Sequence, residues 1–173
     1  MRSKIVKLAF VGAVVGLLLA PAAGAWTWPS GGAVVQPFSF DAAHPYAAGQ
    51  HRGIDVGGDP GAEVVAPASG TVTFAGSVPG SGKTVTVTTA DGYAVTLTHL
   101  GSIAVAEGVS VQEGDGVGTI GPSGDAEVSV PYVHLGVRLA AQAQGYLDPA
   151  SLLPVRPAAT PPASAPPVAA PAA

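Results

Sequence analysis

Four histidines are the side chains of this sequence best suited to chemistry near neutral pH, because a neutral imidazole binds metals and also carries protons. They are His44, His51, His99 and His134. Asp55 follows His51 by four residues, a separation of ~13 Å along a straight strand and too far to share one ion. Gly53 lies between them and can supply the bend that brings the imidazole and the carboxylate together. Taken alone, this segment predicts either a shared metal site or an unrelated histidine and aspartate at a surface turn.

Two further histidines fall in segments whose hydrophobic pattern has a period of two. His99 ends the alternating run Tyr93–His99, and His134 lies in Val133–Leu139, whose odd-numbered positions are all aliphatic. Successive side chains of a strand point to opposite faces, so His134 is expected on a polar face opposite the core. Three histidines and one aspartate on separate β segments, in a chain with only 10% charged residues, indicate a cluster.

The elements that must position these residues are strands and turns. The chain has 24 Gly and 17 Pro but one Met and four Phe, which argues against a helical bundle. Residues 84–88 and 93–99 alternate on either side of the turn signal Ala90-Asp91-Gly92 and predict a β-hairpin. Gly and Val at intervals of three over residues 105–124 predict turns that link short strands. We therefore expect an all-β fold with little helix.

The first 25 residues have the composition of a signal peptide, with a basic start, an apolar middle and small residues before the cleavage site. In order, these are Arg2, Lys4 and Lys7, the run Leu8–Ala20, and Ala23-Gly24-Ala25. An uncleaved membrane anchor is the alternative, although the apolar run is shorter than the ~20 residues that a span needs. We expect a protein that is secreted or held in the cell envelope, with no stable membrane span after cleavage.

The other end of the chain, residues 154–173, is rich in Pro and Ala and nearly free of charge. This composition predicts a disordered, extended tail, which serves either as a spacer through a cell envelope or merely as a chain end. The folded domain is therefore expected over residues 26–153.

Charge and cysteine content exclude several classes of function. Beyond residue 25, four basic residues face 11 acidic ones, a formal charge of −7, and no basic patch is present for nucleic acid. The sequence has no Cys, which excludes disulfides, cysteine zinc ligands, a thiol nucleophile and a lipid-modified cysteine.

The spacing of these residues resembles the lysostaphin- and LytM-type zinc peptidoglycan endopeptidases, the twenty-third metallopeptidase family. The family's H-x-G-x-D is met by His51–Asp55, and its H-L by His99-Leu100. Its A-x-x-x-G-x-V-x-x-A-G runs from Ala66 to Gly76, and its long Val/Gly pattern runs from Val105 to Gly124. The resemblance covers residues 28–137 and implies a compact antiparallel β-sheet domain of the duplicated hybrid motif type, with a zinc-bearing groove.

The resemblance also implies a role for each matching residue. Carried over by position, the metal residues are His51 and Asp55, and the catalytic residues are His99 and His134. In the family, such catalytic histidines polarise water or steady the tetrahedral intermediate, and the substrate is a peptide cross-link of the bacterial cell wall.

One family residue is absent from this chain. The H-x-H motif, whose second histidine is the third zinc ligand, reads His134-Leu135-Gly136. Positions 134 and 136 share a strand face, so a side chain at 136 would point at the metal, and glycine has none. Arg138 follows on the same face. Since structural zinc sites bind with about 10–16 kcal/mol, the loss of one ligand of three is expected to cost several kcal/mol.

Two functions therefore stay open. The first is a catalytically impaired cell-wall protein that binds peptidoglycan or regulates a partner hydrolase. Such a protein is expected to bind no zinc. The second is an active zinc-dependent peptidoglycan endopeptidase with an unusual third ligand. His44 is a candidate for that ligand if its loop folds over the groove, and is otherwise a surface histidine.

Overall fold

Strands make up nearly all of the regular structure in the computed structural model, which describes residues 26–156. The expected signal peptide, residues 1–25, and residues 157–173 of the expected tail lie outside that range. The strands are β1 (Val34–Gln36), β2 (Gly53–Gly57), β3 (Glu63–Val65), β4 (Gly70–Val78), β5 (Gly82–Thr88), β6 (Tyr93–Ile103), β7 (Ser110–Val111), β8 (Gly116–Ile120), β9 (Tyr132–Leu139) and β10 (Tyr146–Leu147). A single 3₁₀ turn, Pro149–Ser151, follows them among the described residues.

All of these strands pair antiparallel, in the order β1-β2-β9-β6-β5-β4-β7. Three further pairings complete the sheet, with β10 on β9, β3 on β8, and β8 on β6. The all-β antiparallel fold expected from the sequence is thus confirmed. The predicted hairpin is β5–β6, and the predicted turns of the Gly/Val run include Gly108 and Gly114, both with positive φ.

One sequence expectation about β6 is wrong. The strand does not end at His99 but continues to Ile103, because it exchanges partners at that point. Thr98 is the last residue paired with β9, and Leu100 is the first paired with β8. His99 lies at the change of partner with φ of 60°, in the left-handed region that a non-glycine residue seldom adopts.

The core is formed by the inward faces of the strands that also carry the histidines. In β9, Val133, Leu135 and Val137 are fully buried and pack with Ile54 of β2 and Leu97 of β6. Burial of each such side chain contributes about 1.5–3 kcal/mol, so the alternation of β9 is strongly specified. The residues between them consequently face the opposite side of the sheet, as the sequence predicts for His134.

The first residues of the expected tail lie against the start of the domain. The indole Nε1 of Trp28 donates to the carbonyl of Pro154 at 2.9 Å. The guanidinium of Arg156 lies 3.8 Å from the Trp28 ring centroid and donates to the carbonyl of Ser30 at 2.8 Å. Residues 154–156 are therefore part of the folded surface. Within residues 26–156 there is no helix of the length and apolar character needed to cross a membrane.

Candidate metal centre and groove

His51 is held at its place by the segment that precedes β2. Its backbone pairs with Ser39 in an isolated antiparallel bridge, and its Nδ1 is 2.8 Å from the carbonyl oxygen of Pro37. A carbonyl oxygen only accepts, so Nδ1 carries the hydrogen, and in the neutral ring Nε2 presents its lone pair. The chain then bends at Arg52, which brings His51 Nε2 to 3.2 Å from Asp55 Oδ1.

Gly53 is needed in this segment for space rather than for a special backbone angle. Its φ is not in the left-handed region, and the bend itself lies at Arg52. A Cβ at position 53 would collide with the carbonyl oxygen of Leu135 and would lie 2.6 Å from His134 Nε2. Close approach of β9 to β2 therefore requires glycine here.

His134 joins the same group from β9. It lies opposite Asp55 in the β2–β9 ladder, with its Nδ1 2.8 Å from Asp55 Oδ1 and 3.0 Å from His51 Nε2. The structure thus brings together the two residues expected to bind metal and one of the two expected to be catalytic. The assigned roles themselves stay predictions.

The group is strongly buried and leaves one oxygen without a donor. Asp55 is 0% exposed and His51 is 4% exposed, whereas the side chain of His134 is 16% exposed. Asp55 Oδ1 makes both histidine contacts, and Asp55 Oδ2 has no hydrogen-bond partner among the described residues. A buried unpaired oxygen costs about 1–3 kcal/mol, and a cation at this point would remove that cost.

Opposing effects act on the pKa values of Asp55 and His51. Burial acts to raise the pKa of Asp55, but the contacts of its carboxylate with the imidazoles of His134 and His51, and the charge of these rings when protonated, outweigh it and lower that pKa overall. Burial acts to lower the pKa of His51, but contact with Asp55 and the hydrogen bond to Pro37 outweigh it and raise that pKa overall. Asp55 is therefore ionised at neutral pH, as a metal ligand must be.

The three donor atoms suit a tetrahedral metal ion. Ligand atoms at 2.0–2.1 Å from zinc in a tetrahedron lie about 3.3 Å from one another. The observed separations among His51 Nε2, His134 Nδ1 and Asp55 Oδ1 are 2.8, 3.0 and 3.2 Å. Two imidazoles and one carboxylate form a donor set that zinc accepts, so these are the described residues that could hold a metal.

His99 lies on the same groove but outside this group. Its Nδ1 donates to the carbonyl of Ser123 at 2.8 Å, and its ring centroid lies 5.0 Å from that of Tyr132. The hydroxyl of Tyr132 in turn accepts from the backbone N–H of Glu127 at 3.0 Å. The backbone of His99 is in the left-handed region, a conformation that costs a non-glycine residue about 1–3 kcal/mol. Such strain is often found at functional sites.

Sequence reasoning did not identify three residues that position the histidines. Pro37 and Ser123 act through backbone carbonyls, which every residue type offers, so the sequence holds no signal for them. Tyr132 could have been identified from the sequence, because it lies two residues before His134 and therefore on the same face of the strand.

The two positions beyond His134 on its face are Gly136 and Arg138. Gly136 lies opposite Gly53, and a Cβ there would be 3.4 Å from the carbonyl oxygen of Arg52 and 3.6 Å from His134 Nε2. Both distances are ordinary contacts. The Nη1 of Arg138 donates at 3.1–3.3 Å to three backbone carbonyls of the following loop, those of residues 139, 140 and 142.

His44 is placed outside the group. Its side chain is 74% exposed, and its Nδ1 is 2.8 Å from Asp41 Oδ2. The structure therefore agrees with the interpretation of His44 as a surface-loop histidine. The loop does not fold back over the groove.

A groove of about 200 Å³ runs beside the metal group. Arg52 lies on one wall, with its guanidinium 5.5 Å from the ring of Phe40 and 5.6 Å from the ring of Tyr146. The polar and charged lining residues include Arg52, Thr96, Thr98, Glu127, His134 and Arg138. Among the described residues, neither Arg52 nor Arg138 forms an ion pair with an acid.

Known proteins share both the sequence pattern and the fold. The chain is 30% identical over 137 residues to the lipoprotein NlpD/LppB homolog of Pseudomonas aeruginosa, covering 79% of this chain and 42% of the relative. It is 29% identical over 133 residues to the murein hydrolase activator NlpD of Salmonella dublin, covering 76% of this chain and 32% of the relative. The chain thus spans less than half the length of these two relatives.

Among solved structures, the catalytic domain of lysostaphin from Staphylococcus simulans aligns with a TM-score of 0.58 at 24% identity. The alignment covers 69% of this chain and 88% of that one, and supports the fold assignment. Residues 49–149, more than half of the chain, match the profile of Peptidase family M23. The chain therefore belongs to Peptidase family M23.

Proposed function

We propose that this protein is a cell-envelope module that uses the groove of an M23 domain for binding and does not itself hydrolyse peptidoglycan. The observation that carries the proposal is Gly136. At the position expected to hold the third metal ligand the strand has no side chain, and the His134 imidazole lies against the His51–Asp55 pair instead.

The chemistry of hydrolysis explains why this arrangement disfavours an enzyme. A zinc ion, when bound, lowers the pKa of its water to about 7 and polarises a carbonyl. Proton transfer to the leaving group additionally needs a free acid or base within reach of the substrate. With His134 directed at Asp55, His99 is the remaining groove histidine, and because its Nδ1 donates to the Ser123 carbonyl, only its Nε2 is left for proton transfer.

The partner we propose is peptidoglycan or a cell-wall hydrolase. A murein hydrolase activator among the relatives supports regulation of a hydrolase, and the open, cation-bearing groove supports binding of a peptide. We further propose a signal peptide over residues 1–25, the M23 domain over 26–153 and a Pro/Ala-rich tail over 154–173, whose first three residues lie against the domain. Relatives described as lipoproteins support a location in the cell envelope.

Release of dye from labelled peptidoglycan tests the proposal directly. The purified protein, supplied with micromolar zinc, is incubated with labelled peptidoglycan alone and together with a purified murein hydrolase. We expect no release by the protein alone, sedimentation of the protein with the insoluble polymer, and faster release when the hydrolase is present. Release by the protein alone would overturn the proposal if it is lost in His51→Ala and kept in His44→Ala.

A working zinc endopeptidase is the second candidate function. It is favoured by the His51–Asp55–His134 group together with His99, which lines the same groove as His134. This candidate predicts zinc-dependent release by the protein alone, and absence of release at every zinc concentration would end it.

A further inference from the structure

The groove continues into a second depression on the same side of the sheet, which we call the threonine pocket. This pocket has a volume of about 260 Å³. Its lining residues are Phe74, Val78, Ser81, Thr84, Thr86, Thr96 and Thr98. Ser81, Thr96 and Thr98 also line the groove, so the two spaces are continuous.

The register of the sheet arranges part of this lining in a row. Phe74 of β4 lies opposite Thr86 of β5, which lies opposite Thr96 of β6. Thr96 in turn lies opposite Gly136 of β9. Residues paired in this way point to the same face of a sheet. Neighbouring strands are 4.7–4.9 Å apart, so the row spans about 14 Å and suits an oligomer rather than a single small molecule.

Phe74 places an aromatic ring at the far end of this row. The ring extends over Gly76, where a Cβ would lie 3.1 Å from Phe74 Cζ, so the absence of a side chain at position 76 leaves room for the ring. Phe74 is half-buried and lines the pocket. The negative face of an aromatic ring attracts partly positive hydrogens, such as those of the C–H groups on a sugar ring.

The rest of the pocket lining bears hydroxyl groups and no charge. The described residues that line the pocket include no acid and no base, whereas Arg52, Glu127 and Arg138 line the groove. Thr86 Oγ1 and Thr96 Oγ1 are 3.1 Å apart and share one hydrogen bond, which leaves the pair a second hydroxyl hydrogen for a ligand. An uncharged sugar with hydroxyl and acetamido groups matches this pocket, and a peptide with carboxylates matches the groove.

We propose that the threonine pocket binds the glycan strand of peptidoglycan. Phe74 stacks against a sugar ring, and the Thr86–Thr96 pair forms hydrogen bonds with its hydroxyl or acetamido groups. This inference rests on the proposed function and deepens it. The peptide lies in the charged groove, and the N-acetylated sugars to which it is attached lie in the adjoining uncharged pocket.

A glycan without peptide tests this inference in the unaltered protein. Methyl spectra of the threonines are recorded during titration with a tetramer of β-1,4-linked N-acetylglucosamine, which carries no charge. We expect shifts at Thr86 and Thr96 and no shift at Thr71, an exposed threonine of β4 outside the pocket. Absence of shifts at millimolar tetramer would overturn the proposal, as would shifts confined to residues outside the threonine pocket.

Substitutions measure the contribution of each group to binding of the same tetramer. Phe74→Ala removes the ring and is expected to weaken binding about tenfold. Thr86→Val keeps the shape of the side chain but removes the hydroxyl, and loss of one hydrogen bond is expected to weaken binding about threefold. Thr71→Val is the matched control, with unchanged affinity. Wild-type affinity in folded Phe74→Ala and Thr86→Val contradicts the proposal, and if Phe74→Ala does not fold, Thr86→Val and the methyl spectra decide.

Failure of the glycan site and failure of the proposed function give different results. Sedimentation of the protein with intact peptidoglycan, without binding of the tetramer, would overturn the glycan site and leave the proposed function in place. Dye release by the protein alone, with binding of the tetramer intact, would overturn the proposed function and leave the glycan site in place.

Discussion

Asp55 lies directly opposite His134 in the antiparallel β2–β9 ladder, and its Oδ1 is 2.8 Å from the Nδ1 of His134. Residues that face each other in such a ladder have Cβ atoms about 4.5–5.5 Å apart, which lets their side chains meet. The pair is therefore positioned by two buried strands rather than by a loop, and this rigidity suits a metal site.

An imidazole added at position 136, where the sequence analysis expects a third metal ligand, should strengthen metal binding. In Gly136→His the new Cβ makes only ordinary contacts, so we expect a folded protein with zinc affinity increased about tenfold or more, which corresponds to about 1.4 kcal/mol. Calorimetric titration measures this change. Gly31→His, which adds a histidine at an open position away from the groove, is the control.

An unchanged affinity in Gly136→His would mean that a neighbouring group keeps the new imidazole from the metal. Arg138 is the cation on the same strand face, and a second substitution there would then be required. We expect the single substitution to suffice, because the Nη1 of Arg138 is engaged by loop carbonyls.

Zinc should stabilise the fold through Asp55. A ligand that binds only the folded state, present at 100 times its Kd, adds about 2.7 kcal/mol, or about 10 °C in Tm for a domain of this size. We expect this gain in the wild type and its loss in Asp55→Asn, as measured by thermal unfolding. Chelation with EDTA should reverse the gain, and an equal gain in Asp55→Asn would argue against the site.

The core beneath the metal group should tolerate little change. Leu135 is fully buried between His134 and Gly136, and Leu135→Ala is expected to lower the free energy of unfolding by about 2–5 kcal/mol. Urea denaturation measures the difference. Val130→Ala, at a position 46% exposed, should stay within about 0.5 kcal/mol of wild type. Similar effects of the two substitutions would place Leu135 outside the cooperative core.

The groove cation Arg138 should contribute to ligand binding. Arg138→Gln removes the charge but keeps an amide donor for the loop carbonyls, and we expect about tenfold weaker sedimentation with peptidoglycan, since hydrogen bonds to charged groups contribute about 1.5–3 kcal/mol. Lys83→Gln removes one charge from a residue outside the groove lining and serves as the control. Equal weakening in both variants would indicate a general charge effect instead.

The strand character of the segments and the choice of site residues follow from local features of the sequence. The alternation in β9 is read from adjacent residues, because a strand places successive side chains on opposite faces whatever its neighbours are. The pairing of His51 with Asp55 is one of the two outcomes that this segment of the sequence allows, since a bend between the two residues can bring their side chains together. The absence of a side chain at Gly136 is visible in the sequence itself.

The tertiary structure decided how His134 is used. Its contact with Asp55 depends on the register between two strands about 80 residues apart in sequence, and its ring orientation depends on the space over Gly53 and Gly136. The continuation of β6 past His99 was likewise decided by β8, which takes over pairing from β9. Strand register and side-chain torsion are set by packing of the whole sheet, and no local pattern encodes them.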